Sequence, residues 1–308
     1  LDQARNVTKT EFSEVKLLQQ HINYVAGEKS WLMLKMSLDD GWHTYWKNPG
    51  DSGIPFEIQW NLPQGFKISE IQMQAPEIIV INDLVNFGFH DEVILLMQLD
   101  IADNLASNKS YKTNADLSWL VCKEVCIPEA IKLDFIVNLK DKAKINNKLS
   151  QQFAQQLGKL PISLPAKHYF YQDEENIIVN VKLNNQLAEA FKDLEIKFFP
   201  VTEGLIKNVV DFTATLSANP GENMLQMIFP KYSNQMPEKF EGNILLNNGQ
   251  YFKIIANYDA SLSIIEQETT ELAIEIEDNN LWQILLFAFL GGLILNAMPC
   301  VFPVLALK

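Results

Sequence analysis

The chain has 308 residues, 47% of them hydrophobic and 20% charged, a globular balance that excludes a disordered, collagen-like or coiled-coil chain. Lys and Arg number 25 against 38 Asp and Glu, giving a net charge of −13 without a basic run. Nucleic acid is therefore a poor partner, because phosphate contacts need clustered cations. At ~100–200 residues per domain, the length fits two domains with room for a third small element.

From Glu14 to Asn138, short apolar runs alternate with turn residues. Trp31 to Met36 reads as a strand, Asp39-Asp40-Gly41 as a turn, and Trp42 to Trp46 as a second short strand. Asn48-Pro49-Gly50-Asp51-Ser52-Gly53 is a dense turn cluster. Phe56 to Trp60, Val93 to Ile101, Lys112 to Val121 and Ile131 to Asn138 are further strands, with Val93 to Ile101 apolar enough to be buried. Strands at ~8–12-residue spacing with turns between them predict an antiparallel sandwich.

Between Lys140 and Leu160, Ile145, Leu149, Phe153 and Leu157 recur every four residues. That spacing predicts a one-faced helix ending at Gly158, with Pro161 beyond it. Strand patterning then resumes at Asn176 to Leu183, Leu194 to Phe199, Met224 to Phe229 and Gln250 to Asn257. This second β-rich region has no cysteine and one histidine, His168, and suggests a structural or docking role.

Residues 263–280 are acidic and lack a core pattern, as a linker would. Leu281 to Leu307 carries no charged residue, and an uncharged run beyond ~20 residues predicts a transmembrane helix. Trp282 suits its interfacial end, while Pro299 and Pro303 should break or kink it. The chain opens at Leu1 without a leader and stops at Lys308 inside an apolar pattern, as a piece of a longer exported protein would.

Three cysteines do not make a disulfide framework. Cys122-Lys-Glu-Val-Cys126 joins two predicted strands, and three intervening residues make a tight hairpin connection. Facing residues there have Cβ atoms ~4.5–5.5 Å apart, close to the ~3.5–4.5 Å a disulfide needs. So small a loop gains little chain-entropy stabilisation from a bridge. A static bridge, a metal site completed by His43 and His90, and redox exchange are all open to the pair. Lys123 would favour a Cys122 thiolate and Glu124 would oppose it. Cys300 lies between two prolines in the apolar tail, where a buried thiol is inert packing or a redox thiol at a helix break.

Three segments carry a resemblance: Gly41-Trp-His-Thr-Tyr-Trp-Lys-Asn-Pro-Gly-Asp-Ser-Gly53, Trp119-Leu-Val-Cys-Lys-Glu-Val-Cys-Ile-Pro128 and Asn296-Ala-Met-Pro-Cys-Val-Phe-Pro-Val-Leu305. Together they resemble the DsbD family of membrane protein-disulfide reductases, in particular its ScsB-like branch. The resemblance implies an exported immunoglobulin-like domain with a reactive pair, Cys122 and Cys126, and a transmembrane electron carrier that includes Cys300. It also implies a cap over the pair. Asn86-Phe-Gly-Phe-His-Asp-Glu92 is the nearest match, with Phe87 or Phe89 as cover and Asp91 or Glu92 as proton acceptor. The C-x-x-x-C spacing and the second β-domain depart from the best-known members.

The expected fold is mainly β. Two immunoglobulin-like antiparallel β-sandwich domains, residues 1–142 and 161–262, are joined by a helical connector at 143–160. An acidic linker at 263–280 and a transmembrane start at 281–308 follow. The expected function is thiol–disulfide exchange at a bacterial inner membrane, with residues 1–280 in the periplasm. Cytoplasmic thioredoxin would supply electrons through the membrane domain, and exported thioredoxin-like disulfide proteins would receive them, without a cofactor or metal. The alternatives are an anchored immunoglobulin-like binding module with a structural disulfide, and a copper- or zinc-handling module.

Overall fold

The computed structural model describes residues 7–219 and 222–262, which are mainly antiparallel β-sheet. Two six-stranded sheets build the first region. In one, Glu92–Ile101 pairs antiparallel with Lys29–Leu38 from Glu92↔Ser37 to Asp100↔Lys29, and Ser13–Gln19 and Val7–Lys9 continue the sheet. In the other, the order is Cys126–Asn138, Ser110–Cys122, His43–Gly50, Leu84–His90, Glu77–Ile81, with Glu57–Asn61 also on Ser110–Cys122. Alternation along the strands sends Val93, Leu95, Met97 and Leu99 inward to meet Trp46, Phe89, Trp119, Val121 and Phe135 in one core. This is the antiparallel sandwich expected from the strand spacing, in the immunoglobulin-like form that the resemblance implied.

The apolar run in Glu92–Ile101 is continuous because both faces are covered. Ile94 and Leu96 face outward and pack with Leu18, Met33 and Phe153 in a separate small cluster. Phe153 belongs to the connector helix, Ser150–Leu157, with Leu149 and Leu157 beside it. The helix is shorter than its periodicity suggested. Ile145 is exposed in a two-residue strand, Lys144–Ile145, paired with His21–Asn23.

The second β-region is an eight-stranded sheet with its own core, which includes Phe170, Val179, Phe198, Phe229, Phe240 and Ile254. Its pairings are mostly antiparallel, but Ile162–Ser163 and Lys167–Gln172 run parallel to Tyr251–Tyr258. A short helix, Asn185–Phe191, starts where the Asn184 side chain accepts from the Leu187 N–H. Phe199 and Tyr251 leave this region's core and join the first one. The Phe199 ring lies edge-on to Trp46 and Phe87, with centroids 6.1 and 5.7 Å away.

Among the described residues, contacts group those up to Phe170 with Glu175–Tyr258 into one compact unit, and Tyr171–Glu174 with residues 259–262 into another. In the second, Asp259 Oδ1 accepts from the Ser261 N–H and hydroxyl. The expected linker, the apolar segment from Leu281 and Cys300 lie outside the described residues. Among the described residues, no helix is long and apolar enough to cross a membrane.

Candidate active site

Cys122 ends one strand and Cys126 begins the next, and the two are a directly opposed pair in the antiparallel ladder. They form a disulfide with a Cα–Cα distance of 4.1 Å. Ladder register thus supplies the proximity that the three-residue turn predicted. The two cysteines differ in environment. Cys122 is 2% exposed, inside the sheet beside His43, whereas Cys126 is exposed at the hairpin tip. Val125, next to Cys126, is 62% exposed, so an apolar side chain flanks the accessible cysteine. Lys123 is turned back from the tip, with Nζ donating to the Asp40 carbonyl at 3.1 Å.

Tyr45 reaches the pair from the neighbouring strand. Its hydroxyl donates to Cys122 Sγ at 3.1 Å and lies 3.9 Å from Cys126 Sγ. Burial pushes the Tyr45 pKa up, with a side-chain hydrogen bond to Ser52 acting against it, so the O–H stays protonated at neutral pH.

The Asn48–Gly53 segment holds that ring in place. Gly53 has φ +101°, and a Cβ there would fall 2.3 Å from Tyr45 Cε1, so only glycine lets the backbone approach the ring so closely. The Ser52 N–H and hydroxyl both donate to Asn86 Oδ1 at 2.9 Å, and the Val85 N–H donates to Asp51 Oδ2 at 2.8 Å. The second β-region contributes as well. Asn48 Nδ2 donates to the Pro200 carbonyl, and Asn208 Nδ2 to Asp51 Oδ1, each at 2.8 Å.

His43 lies opposite Cys122 on one side and His90 on the other. It is 4% exposed, and its Nε2 has no hydrogen-bond partner among the described residues. Burial first, and the neighbouring His90 second, hold its pKa below the usual histidine value. The His90 Nδ1 is 2.8 Å from Glu77 Oε2.

The expected cap residues fall elsewhere. Phe87 and Phe89 are buried in the sandwich core. Phe89 pairs with Thr44, which pairs with Val121, and His90 shares the adjacent row with His43 and Cys122. Neighbouring residues on a strand face opposite ways, so Phe89 points inward where the cysteines point outward. Asp91 takes φ 56° in the turn out of that strand, and its carbonyl accepts from the Leu38 N–H. Glu92 pairs with Lys35 on the other sheet. The aromatic group that does meet the sulfur is Tyr45, which the sequence placed only within the short strand Trp42 to Trp46. The signal was its parity with His43 in a strand whose next residues form a Gly-rich turn.

Fold and disulfide together define an immunoglobulin-like module with an asymmetrically exposed cysteine pair at one end. Residues 14–138 match the family described as "Thiol:disulfide interchange protein DsbD, N-terminal". The stretch that carries the disulfide is thus similar to the N-terminal module of that thiol:disulfide interchange family, and the chain is ScsB-like in its fold. The N-terminal periplasmic domain of ScsB from Proteus mirabilis superposes with a TM-score of 0.57 at 14% identity, covering 82% of this chain and 97% of that one. Collagen adhesin (CNA) from S. aureus follows with a TM-score of 0.17 at 10% identity, covering 82% and 93%. No curated protein matches the chain.

Proposed function

We propose that the chain is a protein-disulfide reductase and that Cys122 and Cys126 are its exchanging pair. The observation that supports this best is the asymmetry of the bridge, one cysteine exposed and the other buried against a hydroxyl donor. A donor thiolate attacks Cys126 Sγ. The S–S bond breaks, and Cys122 Sγ leaves with the electron pair beside the Tyr45 O–H. The donor's second thiolate then attacks its own sulfur in the mixed disulfide and frees Cys126. The pair has gained two electrons, and the donor has left oxidised, having given up two electrons and its thiol protons. In the delivering half, the Cys126 thiolate attacks a disulfide of an exported thioredoxin-like protein, and Cys122 resolves the mixed disulfide.

The wider route belongs to the same proposal. Leu281–Leu307 enters the inner membrane, and Cys300 is one of a membrane thiol pair reduced by cytoplasmic thioredoxin. The described residues then work in the periplasm. The family match and the likeness in fold to the periplasmic ScsB domain support this placement.

Serine variants test the pair. Cys122→Ser should accumulate a mixed disulfide through Cys126 with an oxidised thioredoxin-like protein, because the resolving thiol is gone, and Cys126→Ser should not. If both variants reduce the partner at the wild-type rate, the pair is not the active site.

A further inference from the structure

Two cysteines and two histidines stand in one line across four adjacent strands. Cys126 is opposite Cys122, Cys122 opposite His43, and His43 opposite His90. Directly opposed residues of a sheet share a face, and the 5.6 Å separation of the two imidazole rings agrees with that. Glu77, on the edge strand, extends the line through its contact with His90 Nδ1. The middle of the line is buried: Cys122 is 2% and His43 4% exposed, and His43 Nε2 has no partner among the described residues. The outer end, His90 and Glu77, is open to water.

We propose that His43 holds a proton that accompanies reduction of the pair, neutral opposite the disulfide and imidazolium opposite a Cys122 thiolate, with His90 and Glu77 as the path by which that proton enters and leaves. The inference rests on the exchange function proposed above.

When the S–S bond breaks, Cys122 Sγ takes the electron pair and a full negative charge appears at a buried position. Such a charge must be protonated or paired with a cation. The groups facing His43 are few. Tyr45 is on its own strand, with ring centroids 5.4 Å apart. Cys122 and Cys126 come from the hairpin, His90 from the next strand and Glu77 from the edge strand. At the tip, the Lys123 ammonium is occupied by the Asp40 carbonyl and Glu124 is exposed. His43 is thus the group directly opposite Cys122 that can turn cationic there. The proton comes from the donor's second thiol, whose electron pair goes into the donor's new disulfide, and no electrons pass to the imidazole. In the delivering half, Cys122 attacks Cys126 Sγ, the partner leaves as a thiolate, and His43 returns its proton outward. His43 sets the charge state of Cys122 without bonding to the incoming protein, so it is a positioning residue.

Two titrations on the purified chain test this. Nuclear magnetic resonance of the imidazoles, with disulfide intact and then reduced, should show the His43 pKa rising by at least about one pH unit on reduction, tenfold in proton affinity. In Cys126→Ser, which leaves Cys122 as the hairpin's thiol, the thiolate absorbance should titrate below the ordinary ~8.5, and His43→Gln should move it back up. An unchanged His43 titration overturns the inference without any variant having to fold. An unchanged Cys122 titration in a folded His43→Gln, Cys126→Ser protein does so independently. If the titrations come out as expected but no mixed disulfide is trapped, the exchange reading fails and the His43–Cys122 coupling stands. If trapping succeeds and the titrations are flat, only the coupling fails.

Discussion

The Tyr45 hydroxyl donates to Cys122 Sγ across 3.1 Å, and it comes from a strand that pairs with the Cys122 strand in the same sheet. A donor aimed at sulfur is worth little while the sulfur is neutral and more once it carries charge. Tyr45→Phe keeps the ring and its packing against Gly53. It should leave the unfolding midpoint of the oxidised protein near wild type. It should also slow reduction of the bridge by an external dithiol roughly 10-fold or more, because hydrogen bonds to charged groups contribute about 1.5–3 kcal/mol. Stopped-flow reduction beside a denaturant titration separates the two effects.

Gly53→Ala attacks the same contact from the other side. The new Cβ would overlap the Tyr45 ring, and φ +101° disfavours any L side chain. The ring must move off Cys122 or the turn must rearrange. A loss of about 1–3 kcal/mol is expected from overpacking alone. The reduction rate should fall together with stability, unlike in Tyr45→Phe, where only the rate falls.

Much of this arrangement was legible in the sequence. The strand alternation gave the sandwich, and the hairpin spacing gave the opposed cysteines, because both depend on local periods of two residues and short turns. Phe87 and Phe89 were misplaced because an aromatic run with a central glycine reads equally as a turn or as a buried strand. Only pairing with Thr44 fixes the inward face of Phe89. His43 and His90 are 47 positions apart in sequence, and their adjacency is a product of sheet order. The role of Gly53 was equally hidden. A glycine in a turn cluster signals φ above zero but not what it lies against.

Glu129 ties the first strands to the hairpin. It is buried opposite Trp119, and its carboxylate accepts from the Phe12 N–H at 2.9 Å and from the hydroxyls of Thr10 and Ser13 at 2.8 and 2.6 Å. Glu129→Ala strands these donors in a site with little water. We expect a loss of about 2–4 kcal/mol, and a smaller one for Glu129→Gln, which keeps one acceptor oxygen. Urea unfolding of the oxidised protein measures both.

Acid should weaken the fold through its histidines. His21, His43 and His168 all have pKa values lowered, in each case chiefly by burial. Unfolded, they titrate near 6.5, so below that pH the unfolded chain binds more protons than the native one. Stability from these groups is complete above pH 6.5 and is lost as the pH falls through the folded values. Between about pH 7.5 and 5, where carboxylates stay mostly ionised, the denaturation midpoint should fall. His168→Gln should flatten that slope without touching the disulfide, since His168 lies in the second β-region.

The last prediction concerns how the second β-region bears on the sulfurs. Phe199 packs edge-on against Trp46 and Phe87, and the next residue, Pro200, accepts from Asn48. Asn48 and Asp51 belong to the turn that delivers Gly53 to the Tyr45 ring, and Asp51 also accepts from Asn208. Contacts therefore run without a break from Phe199 through this turn to Tyr45 and on to Cys122. Phe199→Ala removes a buried ring from a shared core, which typically costs about 3–5 kcal/mol. Under native conditions it should also loosen the turn over Tyr45, and with it the donor to Cys122, and so slow reduction of the bridge by dithiothreitol. Asn208→Ala, which removes one polar tie and leaves the core intact, should lower that rate with a much smaller change in the unfolding midpoint. If both variants react with dithiothreitol at the wild-type rate while Phe199→Ala is clearly destabilised, the second region supports the fold alone and does not set the reactivity of the cysteine pair.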